Sequence, residues 1–274
     1  NRNGFQEYTT LGYVPGSISC TLENAYFDSC LARFAEALGK EEDAARLLKM
    51  AMNYRHIFDP QVRNMRAKNQ DGSWCEWTSL TRGKGCVESN PYQQGLFVPH
   101  DVQGLIDLMG GDDAFLDLVI PFFEKTPRTC KWNDYYNHAN EPVHHAIYMF
   151  PYAGTPWFSQ KWARTVMNNA YGSGVKGLCG NEDVGQMSAW FLLSSMGLHP
   201  VDRRQESISS AARFSTKCRS GWMRITIQAI RSRLLHVITR KLTSTFNRPS
   251  LTANRWSERG LPIRKSSPAE RWNL

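Results

Sequence analysis

The chain has 274 residues, 41% of them hydrophobic and 12% aromatic, which places it among globular proteins with enough apolar surface for a substantial core. It contains no apolar run of about 18 residues, so no transmembrane segment is expected, and Asn1-Arg-Asn-Gly-Phe lacks the basic-then-apolar character of a signal segment. The formal charge of +8 conceals two unlike parts, since residues 1–202 carry 17 Lys+Arg against 22 Asp+Glu whereas 203–274 carry 16 against 3; no specific nucleic-acid partner is expected of the first part.

Residues 21–38 place Leu22, Ala25, Tyr26, Leu31, Phe34, Ala35 and Leu38 at helical spacing before Gly39, which predicts a helix. Residues 41–58 repeat the pattern with Ala44, Leu47, Leu48, Ala51 and Tyr54 on one face, and Asp59-Pro60 ends it. The two form an αα-hairpin. From 59 to 99 the periodicity gives way to Gly, Asn, Trp and charge, over a length well beyond the roughly 12 to 15 residues of ordinary loops. Its tryptophans and tyrosines argue for an ordered, functional excursion. Helical patterns resume over 101–109, 112–125, 142–153, 156–170 and 183–196, about seven helices in all, and no strand is expected before residue 200.

Helix pairs joined alternately by short and long loops suit a bundle, an α-solenoid or a closed α/α toroid. The lack of a fixed repeat disfavours the solenoid. In a toroid the long loops gather over a cavity at one end. The cysteines, Cys20, Cys30, Cys75, Cys86, Cys130, Cys179 and Cys218, are odd in number and form no CxxC pair. They read as small core residues, neither a zinc site nor a full disulfide framework, and leave the redox compartment open.

Three polar clusters interrupt the helical patterns: Glu88-Ser-Asn90, His138-Ala-Asn140-Glu141-Pro-Val-His144-His145, and Gly180-Asn181-Glu182-Asp183 through Trp190. In the third, Asn181 is expected to cap a helix whose first turn holds Glu182 and Asp183, where N–H donors and the dipole keep a carboxylate ionised for base chemistry. Simple stabilisation of a helix start is the competing reading. In the first, Pro91, Tyr92 and Phe97-Val98-Pro99 offer Glu88 a desolvating environment, which a general acid needs. Two differently tuned carboxyls suit acid–base hydrolysis of a glycosidic bond. The second cluster is not an HExxH zinc motif, and the oxygens of Asn140 and Glu141 suit a hard cation such as calcium. Trp74, Trp77, Tyr92, Tyr135 and Tyr136 are candidates to stack on sugar faces or to join the core.

With these residues assembled, the chain resembles glycoside hydrolase family 92, the calcium-dependent, inverting exo-α-mannosidases. The matching segments are Gly12-Tyr-Val-Pro15, Thr21-Leu-Glu-Asn-Ala-Tyr26, Asn69-Gln-Asp-Gly-Ser-Trp74, Val98-Pro-His100-Asp101, Asn140-Glu-Pro-Val-His-His145, Tyr152-Ala-Gly-Thr-Pro-Trp157 and Gly180-Asn-Glu-Asp-Val-Gly-Gln-Met-Ser-Ala-Trp190. The resemblance runs from about Gly12 to Pro200 and implies part of an (α/α)6 barrel, with an N-terminal β-sandwich domain absent from this chain. It implies Glu88 as acid and Asp183, beside Asn181, as the base that activates water. Asn140 and Glu141 would hold Ca2+, and His138, Glu182, Asn90, His100, Asp101 and Trp74 would contact a mannose-containing glycan. Inversion implies carboxyl groups about 6.5 to 9.5 Å apart. A secreted, periplasmic or cell-surface location follows from the same resemblance.

The chain departs from the family at Val87-Glu88-Ser89-Asn90 with Tyr92, where Thr-Glu-Gly-Asn and a Trp are usual. Cys20 and Phe27 replace an Arg and an Asp, and Ala139 stands where the family selects linkage. Residues 203–274 lose the resemblance after Gly197-Leu-His-Pro200 and are read as a basic tail, non-native in reading frame or disordered, with a strand-like alternation only over 221–228. A cationic tail for anionic polymers or membranes is the rival. The alternatives for the whole chain are a non-catalytic helical scaffold, a degenerate glycan-binding module, and a hydrolase of another α/α-toroid family.

Overall fold

A computed structural model describes residues 4–202. Two left-handed glycines, Gly4 and Gly12, bracket α1 (Phe5–Leu11). This helix escapes a periodicity reading because it makes barely two turns and buries only Tyr8. α2 (Ile18–Ala37) begins where the Ser17 side chain accepts the Cys20 N–H at 3.1 Å. It ends at Gly39, whose left-handed backbone lets Gly39 and Lys40 donate back to the carbonyls of Glu36 and Ala35. α3 (Glu41–Ala51) carries Glu41, Glu42 and Asp43 in its first turn and Lys49 in its last, the order the helix dipole favours. α2 and α3 pack together as the expected hairpin.

The second helix does not run on to residue 58. It tightens into a 3-10 stretch, Met52–Ile57, and leads into an antiparallel ladder of β1 (Phe58–Asp59) and β2 (Asn64–Met65). The ladder contradicts the expectation of no strand; at two residues per strand it is too short to show alternation. Its end is fixed by Asp59, buried and paired with Arg66 at 3.0 Å. The long excursion then contains one helical turn, α4 (Pro91–Gln94), with Pro91 at the first helical position and Asn90 as its cap.

α5 (Val102–Met109) is capped by Asp101, and α6 (Asp112–Glu124) follows the left-handed pair Gly110-Gly111. α7 (Pro156–Ala170) and α8 (Gln186–Ser195) complete the α-helices among the described residues. The helix expected over 142–153 is replaced by three 3-10 turns, Glu141–Val143, Ala146–Tyr148 and Phe150–Ala153. Pro151, deep in the expected helix, has no N–H to give and crowds the preceding turn, which disfavours a continuous α ladder there. The chain bonds three residues back instead, as from Tyr148 to His145 at 2.8 Å.

A continuous core of Tyr54, Leu105, Phe115, Phe122, Phe123, Tyr136, Ile147, Phe150 and Val166 joins these elements. Phe123 lies 4.8 Å from the Tyr136 ring and 5.4 Å from those of Phe150 and Trp162. Such contacts contribute about 0.5–1.5 kcal/mol each beyond burial. They clamp α6, α7 and the strand-free loop before His138 into one block, which fixes where that loop delivers its polar residues. Cys20, Cys30, Cys75, Cys86, Cys130 and Cys179 are free thiols, and burial pushes Cys86 up to about 12 and Cys130 up to about 11. Cys218 and the whole basic tail, with its strand-like alternation, lie outside the described residues.

Candidate active site

The three polar clusters meet. Asn140 is buried and donates its side-chain N–H to the Glu88 carbonyl at 3.0 Å, which ties the second cluster to the first. Gly180 packs directly on the backbone of Ala139, where a Cβ would overlap the Ala139 carbonyl and Cα. That close approach, possible only for glycine, ties the third cluster to the second.

The carboxyl groups follow the backbone. Glu141 lies within hydrogen-bonding reach of Asp183, and both Asp183 and Glu88 act on it electrostatically. Burial, then the Asp183 and Glu88 carboxyls, raise Glu141 above the ordinary carboxylate range. Its Oε1 is buried without a hydrogen-bond partner in the protein. Glu88 and Asp183 both hold left-handed backbone, at φ 51° and 43°, as does the β-branched Val184 at 58°. Non-glycine residues seldom adopt this region, and such strain collects at functional sites. Glu88 is exposed, however, and the desolvation expected of it is absent among the described residues.

Glu88, Asn140 and Glu141 line a cleft of about 470 Å³ with Glu23, Tyr26, Gln94, Phe97, His144, His145, Gln186 and His199. Glu23 and Tyr26 stand on α2, one turn apart. Glu23 keeps access to solvent in the cleft, yet burial of its surroundings raises its carboxyl above the usual range. Gln94 is buried, accepts the Ser89 hydroxyl at 2.9 Å, and leaves its Nε2 without a partner.

The model of the glycosyl hydrolase family 92 catalytic domain matches residues 1–217. The chain belongs to glycosyl hydrolase family 92. A family GH92 inverting mannosidase from Bacteroides thetaiotaomicron is similar in structure at 36% identity and a TM-score of 0.67, over 76% of this chain and 31% of that one. A GH92 α-mannosidase from the same organism is similar at 36% identity and a TM-score of 0.68, over 73% and 27%. An uncharacterised secreted glycosidase of Arthroderma benhamiae is 27% identical over 236 residues, 73% of this chain and 29% of that protein. The family 92 chain thus spans less than a third of the length of these relatives. Its fold is mainly α, part of the (α/α)6 barrel that the resemblance implies. Among the described residues no helix is long and apolar enough to cross a membrane.

Asp183 is exposed and, like the remaining expected site residues of the family 92 chain, is not among the residues that line the cleft. Asn181 is exposed and does not cap a helix: α8 starts at Gln186 behind Gly185, because Asp183 and Val184 are left-handed. Glu182 does the capping from outside, accepting the Ser188 N–H at 2.9 Å and its hydroxyl at 2.7 Å, and these bonds lower its carboxyl. His138 is fully buried, away from the cleft; burial, then His144 and His199, hold it well below the usual imidazole range. Asn90 caps α4 through the Gln93 N–H at 3.0 Å and donates to the Asp134 carbonyl. His100 is buried with Nε2 on the Ala51 carbonyl. Asp101 caps α5 and takes the Tyr54 hydroxyl at 2.6 Å and Arg55 at 3.1 Å. Burial opposes its ionisation, but these three donors outweigh burial and lower its carboxyl. Trp74 lies under the Lys68 ammonium at 4.4 Å, outside the cleft. Asn90, His100, Asp101 and Trp74 each have a local partner that a sequence does not display. Glu23 is legible only as part of the family segment at 21–26, Tyr26 also as a helix-face residue and Gln186 as a member of the third cluster, while nothing marks His199 beyond the Gly197-Leu-His-Pro200 stretch.

For a cation, the donor set in the cleft is oxygen: the Asn140 amide and the Glu141 carboxyl, whose Oε1 has no protein partner. That chemistry fits a hard ion such as calcium and not zinc. No group of three or more His, Cys, Asp and Glu among the described residues could hold an ion unaided. Main-chain carbonyls, water or ligand hydroxyls would complete the shell.

Proposed function

We propose that this family 92 chain serves the hydrolysis of terminal α-linked mannose from mannosides or N-glycans, with inversion and with calcium assistance. The observation that carries the reading is the convergence of Glu88, Glu141 and Asp183, two of them on left-handed backbone, in a chain of this family. The likeness to two Bacteroides mannosidases supports mannose as the sugar.

Glu88 gives its proton to the glycosidic oxygen as the bond from that oxygen to the anomeric carbon breaks. Asp183, with Asn181 beside it, takes a proton from water as the water oxygen bonds to the anomeric carbon from the opposite face. Glu88 ends ionised and Asp183 protonated, so one water is consumed and the anomeric configuration is inverted. Asn140 and Glu141 would hold calcium, which when bound would grip sugar hydroxyls and favour a distorted, oxocarbenium-like ring. Tyr26 and Phe97 offer the cleft apolar faces. The resemblance makes an N-terminal β-sandwich domain the partner in cis, and the name of the fungal relative supports a location outside the cytoplasm.

The test is hydrolysis of aryl and disaccharide α-mannosides with and without a chelator. Chelation, Glu88→Gln and Asp183→Asn are each expected to lower kcat by about a hundred-fold or more. Turnover indifferent to all three sinks the mechanism.

A further inference from the structure

His138 opens the second cluster yet does not reach the cleft, and its surroundings give it another task. The hydrogen bonds around it form a chain whose direction is fixed at one end. The Met187 carbonyl can only accept, so the Tyr171 hydroxyl donates to it at 3.0 Å. The Tyr171 oxygen then accepts from His138 Nε2 at 2.7 Å, which makes Nε2 the protonated nitrogen. In a neutral ring Nδ1 is left to accept the Tyr136 hydroxyl at 2.7 Å.

A second path leaves from the main chain of the same residue. The His138 carbonyl accepts from His144 Nε2 at 3.0 Å, and His144 Nδ1 faces Gln186 Nε2 at 3.3 Å. Trp190 Nε1 donates to the His144 carbonyl at 3.1 Å. The rings pack along both paths, with His138 4.3 Å from Trp190 and 4.4 Å from His144. Both paths start in the loop that carries Asn140 and Glu141, and both end on α8, whose leading turn carries Asp183.

We propose that His138 is a positioning residue: through Tyr171 and through His144 it anchors α8 to the loop of Glu141 and so sets the gap between Glu141 and Asp183. It touches no substrate. This rests on the reading of Asp183 as the base, but the mechanical link can be measured separately.

The test uses the full chain, with Tyr171→Phe as the main variant because it keeps the ring packing and removes only the hydroxyl. Three readouts are taken: the His138 tautomer from ¹⁵N shifts of labelled histidine, amide exchange over 182–190, and kcat and KM on an aryl α-mannoside. The expected results are an Nε2–H tautomer and exchange over 182–190 faster by about ten-fold in Tyr171→Phe, with α2 unchanged. A kcat lower by about ten-fold at a KM within about two-fold is also expected. His138→Gln, which keeps an N–H donor toward Tyr171, should retain more kcat than His138→Leu. An Nδ1–H tautomer, or unchanged exchange over 182–190, overturns the proposal whatever the assay gives. Faster exchange with unchanged kcat overturns the positioning role. Wild-type chain without turnover, but with the expected tautomer and exchange, overturns the mannosidase reading and supports the link.

Discussion

The carboxyl groups of Glu141 and Asp183 lie within hydrogen-bonding reach of each other, although one leaves a proline-broken loop and the other a turn before α8. Such a pair is comfortable only with a proton or a cation between its members. Glu141 is the member whose carboxyl is raised, by burial first and by Asp183 and Glu88 after it. Between the unfolded carboxylate value and the raised folded value, the folded chain binds more protons than the unfolded one. Stability therefore falls as pH climbs through that window and stays lower above it. In the presence of a chelator, Glu141→Gln should remove this fall. Because the group is partly solvated, the gain at neutral pH should stay below about 1 kcal/mol, a Tm higher by about 1–2 °C. At pH about 4 the advantage should vanish. Thermal melts of both proteins across pH check it, and a Tm lowered at neutral pH would show that the carboxylate is stabilising.

Glu182 has the opposite sign. The Ser188 N–H and hydroxyl hold its carboxyl below the ordinary range, so the stability it gives to the start of α8 is present above the unfolded value and lost as pH falls through the folded one. Ser188→Ala removes the hydroxyl and leaves the N–H. Protection of the first α8 amides, measured by exchange at successive pH values, should fail at a higher pH in Ser188→Ala than in the wild type. Coincident curves would mean that the hydroxyl contributes nothing.

Gly180→Ala tests how the clusters are joined. Its Cβ would overlap the Ala139 backbone, which cannot move without displacing Asn140. Overpacking of this kind costs about 1–3 kcal/mol. A denaturant melt should show that loss, and calcium affinity should fall with it. Gly172→Ala is a suitable contrast, since its backbone is not left-handed and a Cβ there meets only ordinary van der Waals contact, Gly177 Cα at 3.9 Å.

The sequence carried the αα-hairpin, α5, α6 and α7, because each has several turns of apolar spacing. It also carried the meeting of the three clusters, since Asn140, Glu141 and Asp183 sit in segments shared with a family. It missed α1 and the ladder of Phe58–Asp59 with Asn64–Met65, which are too short for any period to emerge. The start of α8 was misplaced because Asn-Glu-Asp reads as a cap and first turn, whereas left-handed Asp183 and Val184 delay the helix to Gln186. The family resemblance makes His138 and Trp74 sugar contacts, and a sequence does not display their partners in the fold. Tyr136 and Tyr171 claim the first, and Lys68 covers the second.

The most direct measurement is the anomeric form of the first mannose released from an α-mannoside by the chain with calcium, followed by ¹H NMR before mutarotation. β-Mannose is expected first, with release suppressed in Asp183→Asn. α-Mannose as the first product, or undiminished release by Asp183→Asn, would contradict the mechanism.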